Sequence, residues 1–165
     1  MITIVIAEDQ KMLLGAFGSL LNLEEDMIVV GQASNGEEAV ALVREFQPDV
    51  CIMDIEMPGK SGLDAAEEIK GLGCKVIILT TFARSGYFQR ALKAGVSGYL
   101  LKDSPSEELA SSIRDVMAGK KEFMRLNLWT VFMVRKNPLT DREREVLGLV
   151  ADGKKTQKRL LLSLV

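Results

Sequence analysis

Five polar residues stand directly after, or at the end of, short apolar runs, and their types suit phosphoryl chemistry. They are three carboxylates, a hydroxyl and an ammonium: Glu8, Asp9, Asp54, Thr80 and Lys102. Clustered carboxylates repel one another, so a hard divalent cation that prefers oxygen ligands, such as Mg²⁺, is their natural neutraliser. A carboxylate beside Mg²⁺ can attack phosphorus and form an acyl phosphate, while a lysine neutralises the phosphoryl oxygens. The residue types therefore predict a Mg²⁺-dependent phosphoryl site.

The apolar runs that carry these residues predict the fold that would bring them together. The runs are continuous, as in strands of a parallel sheet covered on both faces, and they cover Ile2–Ala7, Met27–Val30, Val50–Met53, Val76–Leu79 and Gly98–Leu101. Segments of helical period separate them, and Asn35 with Glu38 predicts a capping box. The order is (βα)5, an α/β doubly wound parallel sheet. Such sheets bind ligands at the carboxyl ends of their strands, where the five polar residues are expected to meet.

The remaining residues predict a linker and an incomplete helical segment. Residues 120–137 are partly apolar without a clear period, and we interpret them as a linker. Thr140 and Glu143 form a second predicted capping box, at the start of a helix that follows Pro138. One helix and a short tail cannot bury an independent core, so residues 138–165 are expected to be an incomplete helical segment.

Composition excludes several classes of function. The chain has no histidine, which excludes Ser-His-Asp catalysis, histidine-ligated metals and a phosphohistidine donor within the chain. Its 21 basic and 23 acidic residues give a net charge of −2, which argues against binding nucleic acid by bulk electrostatics. Cys51 and Cys74 are expected to be reduced thiols. With no signal peptide and no apolar stretch near the ~18 residues that span a bilayer, the sequence predicts a cytoplasmic protein.

Four short segments carry the predicted site and form a specific set. They are Ile6-Ala7-Glu8-Asp9, Ile52-Met53-Asp54-Ile55-Glu56-Met57-Pro58-Gly59, Ile78-Leu79-Thr80-Thr81 and Gly98-Tyr99-Leu100-Leu101-Lys102-Asp103. Together they resemble the receiver domain of two-component response regulators of the LuxR/NarL type, and the DesR-like regulators of Gram-positive bacteria in particular. The resemblance implies a flavodoxin-like or CheY-like receiver over residues 1–119.

The resemblance also implies a role for each residue of the site. Asp54 would be the phosphoacceptor, assisted by Thr80 and Lys102, and Thr80 and Tyr99 would be the switch residues. The ligands of Mg²⁺ would be Glu8 (mainly through water), Asp9, Asp54 and the backbone carbonyl of Glu56. The donor would be a separate sensor histidine kinase, membrane-bound in DesR-like systems. The chain would not be an enzyme, beyond its own phosphorylation from a donor and slow autodephosphorylation.

The resemblance continues in Asn137–Leu147, which matches the opening of the family's helix-turn-helix DNA-binding domain. Beyond Lys154 the family's scaffold and recognition helices are not recognisable, so residues 138–165 are interpreted as a remnant of that domain. The implied role is phosphorelay control of transcription, with a homodimer formed on phosphorylation. Promoter DNA is the expected partner of the full-length architecture, and this chain is not expected to read a specific DNA sequence.

Three other functions fit the sequence less well than this interpretation. A phosphatase of the haloacid dehalogenase type also uses an aspartyl nucleophile after a strand, but it normally has a second Asp two residues on, where this chain has Glu56. A nucleotide-binding module would need a glycine-rich loop after the first strand, where Asp9-Gln10-Lys11 stands instead. A receiver-like module that is never phosphorylated would be expected to lack part of the five-residue site.

Overall fold

The computed structural model describes residues 1–81, 84–103 and 106–123 of the chain. Five helices alternate with the strands: α1 (Lys11–Asn22), α2 (Gly36–Phe46), α3 (Gly62–Glu68), α4 (Ser85–Lys93) and α5 (Ser106–Met117). The strands are β1 (Ile2–Ala7), β2 (Met27–Ala33), β3 (Val50–Met53), β4 (Lys75–Thr80), β5 (Gly98–Leu101) and β6 (Glu122–Phe123). The predicted incomplete helical segment and all but the start of the predicted linker lie outside the described residues.

The six strands form one sheet in the order β2-β1-β3-β4-β5-β6. The β1–β2, β1–β3, β3–β4 and β4–β5 pairs are all parallel. Because β1 neighbours both β2 and β3, the strand order reverses at β1, and the crevice for a ligand is expected beside it. The predicted α/β doubly wound sheet with five (βα) units is confirmed.

Both faces of the sheet are covered, which explains the continuous apolar runs. Alternate strand residues such as Ile4, Ile52 and Ile77 join a core cluster that includes Leu109 and Ile113 of α5. The helices α1 and α5 contact each other, while α2 contacts α3 and α3 contacts α4. Strand residues of the intervening positions are buried as well, including Val5, Cys51, Met53 and Ile78.

A sixth strand and a half-formed cap are the differences from the expected elements. Glu122 was predicted within the linker, yet its N–H donates to the carbonyl of Ser97 at 2.9 Å and so adds β6 beside β5. A two-residue strand is too short to show a period in the sequence. At α2, Asn35 Oδ1 accepts from the N–H of Glu38 at 2.8 Å as predicted. The carboxylate of Glu38, however, accepts from the N–H of Ser34 at 2.8 Å.

Two further sequence expectations concern thiols and membrane spans. Cys51 and Cys74 are both free thiols, and Cys51 is buried. Burial raises the pKa of the Cys74 thiol to about 12, so this thiol stays protonated at neutral pH. Among the described residues, every helix is too short or too polar to pass through a bilayer.

Candidate functional site

The predicted site residues lie at the carboxyl ends of four adjacent strands. Glu8 follows β1, Asp54 follows β3, Thr80 ends β4 and Lys102 follows β5. Backbone hydrogen bonds fix these ends to their neighbours. The N–H of Asp54 donates to the carbonyl of Ala7 at 3.0 Å, and that of Lys102 donates to the carbonyl of Thr80 at 2.9 Å. The positions of the side chains therefore follow from the register of the sheet.

Three carboxylates converge at this edge. Glu8, Asp9 and Asp54 each offer an oxygen within 4.8 Å of the others. Glu8 is 2% exposed and Asp54 is 6% exposed, whereas Asp9 faces solvent. The cluster is therefore shielded from water at Glu8 and Asp54 and accessible to solvent at Asp9.

Lys102 lies between the two buried carboxylates. Its Nζ is 2.5 Å from Glu8 Oε2 and 3.0 Å from Asp54 Oδ2. Burial alone would disfavour the ammonium, but its hydrogen bonds to these carboxylates raise the pKa of Lys102 above its usual value. Burial also raises the pKa of Glu8 and of Asp54, and the contacts with Lys102 oppose that rise.

The other oxygen of each buried carboxylate is held by the backbone. Asp54 Oδ1 accepts from the N–H of Ile55 at 2.8 Å, and Glu8 Oε1 accepts from the N–H of Gln10 at 3.0 Å. Each carboxylate is therefore oriented by two contacts on opposite oxygens, so little side-chain reorganisation is required when a ligand arrives.

The donor set fits a hard divalent cation. Three carboxylates carry a formal charge of −3 and Lys102 carries +1, which leaves −2 at the site. The donor atoms of these three side chains are all carboxylate oxygens, and the exposed Asp9 leaves the site accessible to water. Mg²⁺ prefers this chemistry, because it binds through one or two carboxylates and keeps several of its waters.

Thr80 and Tyr99 lie on the neighbouring strands β4 and β5, and Thr80 ends its strand next to Lys102. Thr80 is 3% exposed at the last position of β4. Tyr99 is fully buried in β5, and its ring packs edge-on against Phe88 of α4, with centroids 5.5 Å apart. Burial raises the pKa of the Tyr99 hydroxyl, so it remains protonated at neutral pH. Tyr99 therefore connects β5 with α4.

Glu56 differs from the other predicted residues because its side chain turns to α4. Its Oε1 accepts from the Tyr87 hydroxyl at 3.3 Å and lies 3.8 Å from Arg84 Nη1. Glu56 is exposed, unlike Glu8 and Asp54. Sequence analysis did not single out Tyr87 or Arg84, because a contact across 31 residues leaves no periodic signal.

Gly62 is a further residue that sequence analysis missed. It is the first residue of α3, and its N–H donates to the carbonyl of Ile55 at 2.9 Å. A Cβ built at Gly62 would overlap the carbonyl oxygen of Asp54. The absence of a side chain lets α3 begin directly against the backbone of Asp54. The sequence signal for it was the glycine immediately after Ser61, whose Oγ accepts from the N–H of Asp64 and caps α3.

Known proteins of similar sequence and structure support one family. The profile of the response regulator receiver domain matches residues 4–114. The transcriptional regulatory protein DesR of Bacillus subtilis is 68% identical over 158 residues, which cover 96% of this chain and 79% of that protein. The nitrate/nitrite response regulator protein NarL of Escherichia coli K12 is 32% identical, over 92% of this chain and 76% of that protein. A LuxR-family DNA-binding response regulator from Staphylococcus aureus has a crystal structure with a TM-score of 0.69 and 44% identity, covering 71% of this chain and 99% of that one.

Proposed function

The chain belongs to the response regulators of two-component systems, of the LuxR/NarL type, and from this premise we propose that Asp54 accepts the phosphoryl group. One observation carries the assignment: the Asp54 carboxylate lies at a strand end inside an acidic cluster, with the Lys102 ammonium 3.0 Å from it. Asp54 therefore combines a nucleophilic carboxylate oxygen with a neighbouring cation site and the positive charge of Lys102.

The proposed reaction transfers one phosphoryl group to a carboxylate. An oxygen of Asp54 attacks phosphorus, the bond from phosphorus to the donor breaks, and the leaving group keeps the electron pair. Lys102 neutralises charge on the phosphoryl oxygens, and the buried Thr80 hydroxyl donates a hydrogen bond to one of them. Mg²⁺ held by Glu8, Asp9, Asp54 and the backbone carbonyl of Glu56 supplies further neutralisation when it is bound.

The output of the site is a change of conformation. A phosphoryl group shifts a two-state equilibrium only if it interacts differently with the two states, and in our proposal Thr80 and Tyr99 provide that difference. The contact between Tyr99 and Phe88 supports this assignment, since it connects β5 with α4. Phosphorylation then promotes a homodimer.

The proposed partners follow from the family and from composition. The chain has no histidine, so its donor is another molecule, and a sensor histidine kinase is the donor of this family. For this chain we propose a cytoplasmic location and a membrane-bound kinase. The proposed receiver domain covers residues 1–119, supported by the family match over 4–114, and its sheet gains β6 from the first residues of the linker over 120–137. A helix-turn-helix remnant over 138–165 follows in this proposal. Promoter DNA is the partner of the full-length architecture.

The chain is a regulator rather than an enzyme that turns over a substrate, and its proposed chemistry is limited to self-phosphorylation and slow autodephosphorylation. The phosphatase alternative has no support among the matched proteins, which are response regulators. Incubation with Mg²⁺ and acetyl phosphate tests the proposal by intact mass. We expect a gain of one phosphoryl group that requires Mg²⁺ and is absent in Asp54→Asn. A chain that stays unmodified, or an Asp54→Asn variant that is still labelled, would contradict it.

A further inference from the structure

A tether joins the loop that follows Asp54 to the start of α4. The Tyr87 hydroxyl donates to Glu56 Oε1 at 3.3 Å, and Arg84 Nη1 lies 3.8 Å from the same oxygen. The Arg84 guanidinium also lies over the Tyr87 ring, 5.5 Å from its centroid. Arg84 directly precedes α4 as its N-cap residue, and Tyr87 lies in the first turn of the helix. Two side chains at the start of α4 therefore converge on one carboxylate of the loop.

This tether borders an open pocket. The pocket has a volume of about 540 Å³ and is lined by Glu56 and Met57 of the loop, Asp64 of α3, and Tyr87 and Arg90 of α4. The preceding residue, Ile55, is held on both sides, because its N–H donates to Asp54 Oδ1 and its carbonyl accepts from the N–H of Gly62. For Glu56, the side-chain hydrogen bond reaches Tyr87 of α4, and the ion pair reaches Arg84 directly before that helix.

We propose that Tyr87 is a positioning residue for the cation site, an inference that rests on the proposed function. By holding the Glu56 side chain, Tyr87 restrains the residue whose backbone carbonyl is the proposed fourth protein ligand of Mg²⁺. A ligand group that is ordered before the ion arrives lowers the conformational entropy lost on binding. One hydrogen bond of net strength typical for proteins changes an equilibrium constant by about two- to tenfold.

The test measures Mg²⁺ affinity of the full chain from backbone amide chemical shifts. Tyr87→Phe keeps the ring and removes the hydroxyl, and we expect it to weaken Mg²⁺ binding by about two- to tenfold with an unchanged Tm. Arg90→Gln is the matched control. Arg90 also connects α4 with the α3 side, through Asp64 at 2.7 Å and Glu67 at 3.4 Å, but it does not involve Glu56. It should keep the wild-type affinity.

A double-mutant cycle separates positioning from a general effect on structure. In a Glu56→Ala background, Tyr87→Phe should cause no further loss of Mg²⁺ affinity, because its partner is gone. Wild-type affinity in the Tyr87→Phe single variant, the same loss in the Glu56→Ala background, or an equal loss in Arg90→Gln would each overturn the inference. A wild-type chain whose amide shifts do not respond to Mg²⁺ would overturn the proposed function itself and this inference with it.

Discussion

Lys102 is the positively charged residue that pairs with both buried carboxylates of the site. Its ammonium contacts both Glu8 and Asp54, and all three side chains are almost fully shielded from water. Taking charges out of water costs several kcal/mol per ion, which only good geometry and further hydrogen bonds can offset. The backbone donors at Gln10 and Ile55 supply those further bonds. The result is a site that is charged and ordered before any ligand binds.

The first prediction concerns removal of this lysine. Lys102→Met leaves two buried carboxylates without their counter-ion, and we expect it to lower the free energy of unfolding by about 3 kcal/mol at neutral pH. Lys120→Met is the matched control, because Lys120 forms an exposed ion pair with Asp115 at 3.6 Å and should lose less than about 1 kcal/mol. Urea unfolding measures both. Equal losses in the two variants would contradict the role given to Lys102.

A second prediction follows from the raised pKa of Asp54. A carboxyl group whose pKa is higher in the folded state than in the unfolded state binds its proton more tightly when folded. Its contribution to stability is therefore full below the unfolded pKa and is lost as the pH rises through the folded pKa. Asn carries no such charge, so Asp54→Asn should be more stable than the wild type at pH 7, with a difference that disappears in acid. Urea unfolding across pH without divalent cations measures it, and a wild type that is the more stable at pH 7 would contradict the prediction.

At the level of elements, the site depends on how closely α3 approaches β3. The helix begins at Gly62, whose missing side chain admits the carbonyl of Asp54. Ser61 caps the helix, and the N–H of Gly62 returns to the carbonyl of Ile55. These contacts close the loop after β3 in a fixed form, so the geometry of Asp54 depends on a helix that contributes no side chain to the cluster.

The third prediction tests this approach of α3. Gly62→Ala forces a Cβ onto the carbonyl of Asp54, so the backbone must shift, and we expect a loss of stability of at least about 2 kcal/mol together with slower phosphorylation. Gly15→Ala is the control, because Gly15 lies within α1 with open space around its Cβ position. It should gain roughly 0.5–1 kcal/mol from helix propensity. A Gly62→Ala variant as stable and as readily phosphorylated as the wild type would refute the contact.

Sequence reasoning located elements and strand ends well because both depend on local patterns. Buried strands gave continuous apolar runs, and the residue after each run then had to lie at one edge of the sheet. Contacts between distant segments were missed. Gly62 depends on the path of the loop after β3, and Tyr87 on the position of α4, neither of which has a period. A capping box would pair the Glu38 carboxylate with the backbone N–H of Asn35. The carboxylate accepts instead from the N–H and the hydroxyl of Ser34.

At the scale of the whole molecule, α1 and the residue that follows it expose large apolar side chains to solvent. Met12 is 86% exposed, Leu20 is 40% exposed, and Leu23 just after the helix is 79% exposed. Met12 and Leu20 are eight residues apart and so lie on one side of α1. The neighbouring α5 is connected to the turn that follows α1 through Arg114, which pairs with Glu24 at 2.6 Å. This surface favours α1 and α5, ahead of the face of α4, as the interface of the proposed dimer.

The fourth prediction concerns that interface. A phosphoryl mimic bound at Asp54 should convert the wild-type chain from monomer to dimer at micromolar concentrations in sedimentation velocity. The double substitution Met12→Glu with Leu20→Glu should prevent the dimer and leave phosphorylation intact, because charge on an apolar interface is costly to bury. Leu72→Glu, at a residue 50% exposed between α3 and β4, should leave the dimer unchanged. Identical wild-type profiles with and without the mimic would contradict phosphorylation-dependent dimerisation.

The central claim is that Asp54 itself carries the phosphoryl group, and chemical trapping tests it most directly. Borohydride reduces an acyl phosphate to an alcohol, so a phosphorylated aspartate becomes homoserine, which peptide mass spectrometry can place in the sequence. After incubation with acetyl phosphate and Mg²⁺, we predict homoserine at position 54, and none there when Mg²⁺ is removed by a chelator. Homoserine at Asp9, or a reduced glutamate at Glu8, with position 54 still aspartate, would contradict the claim.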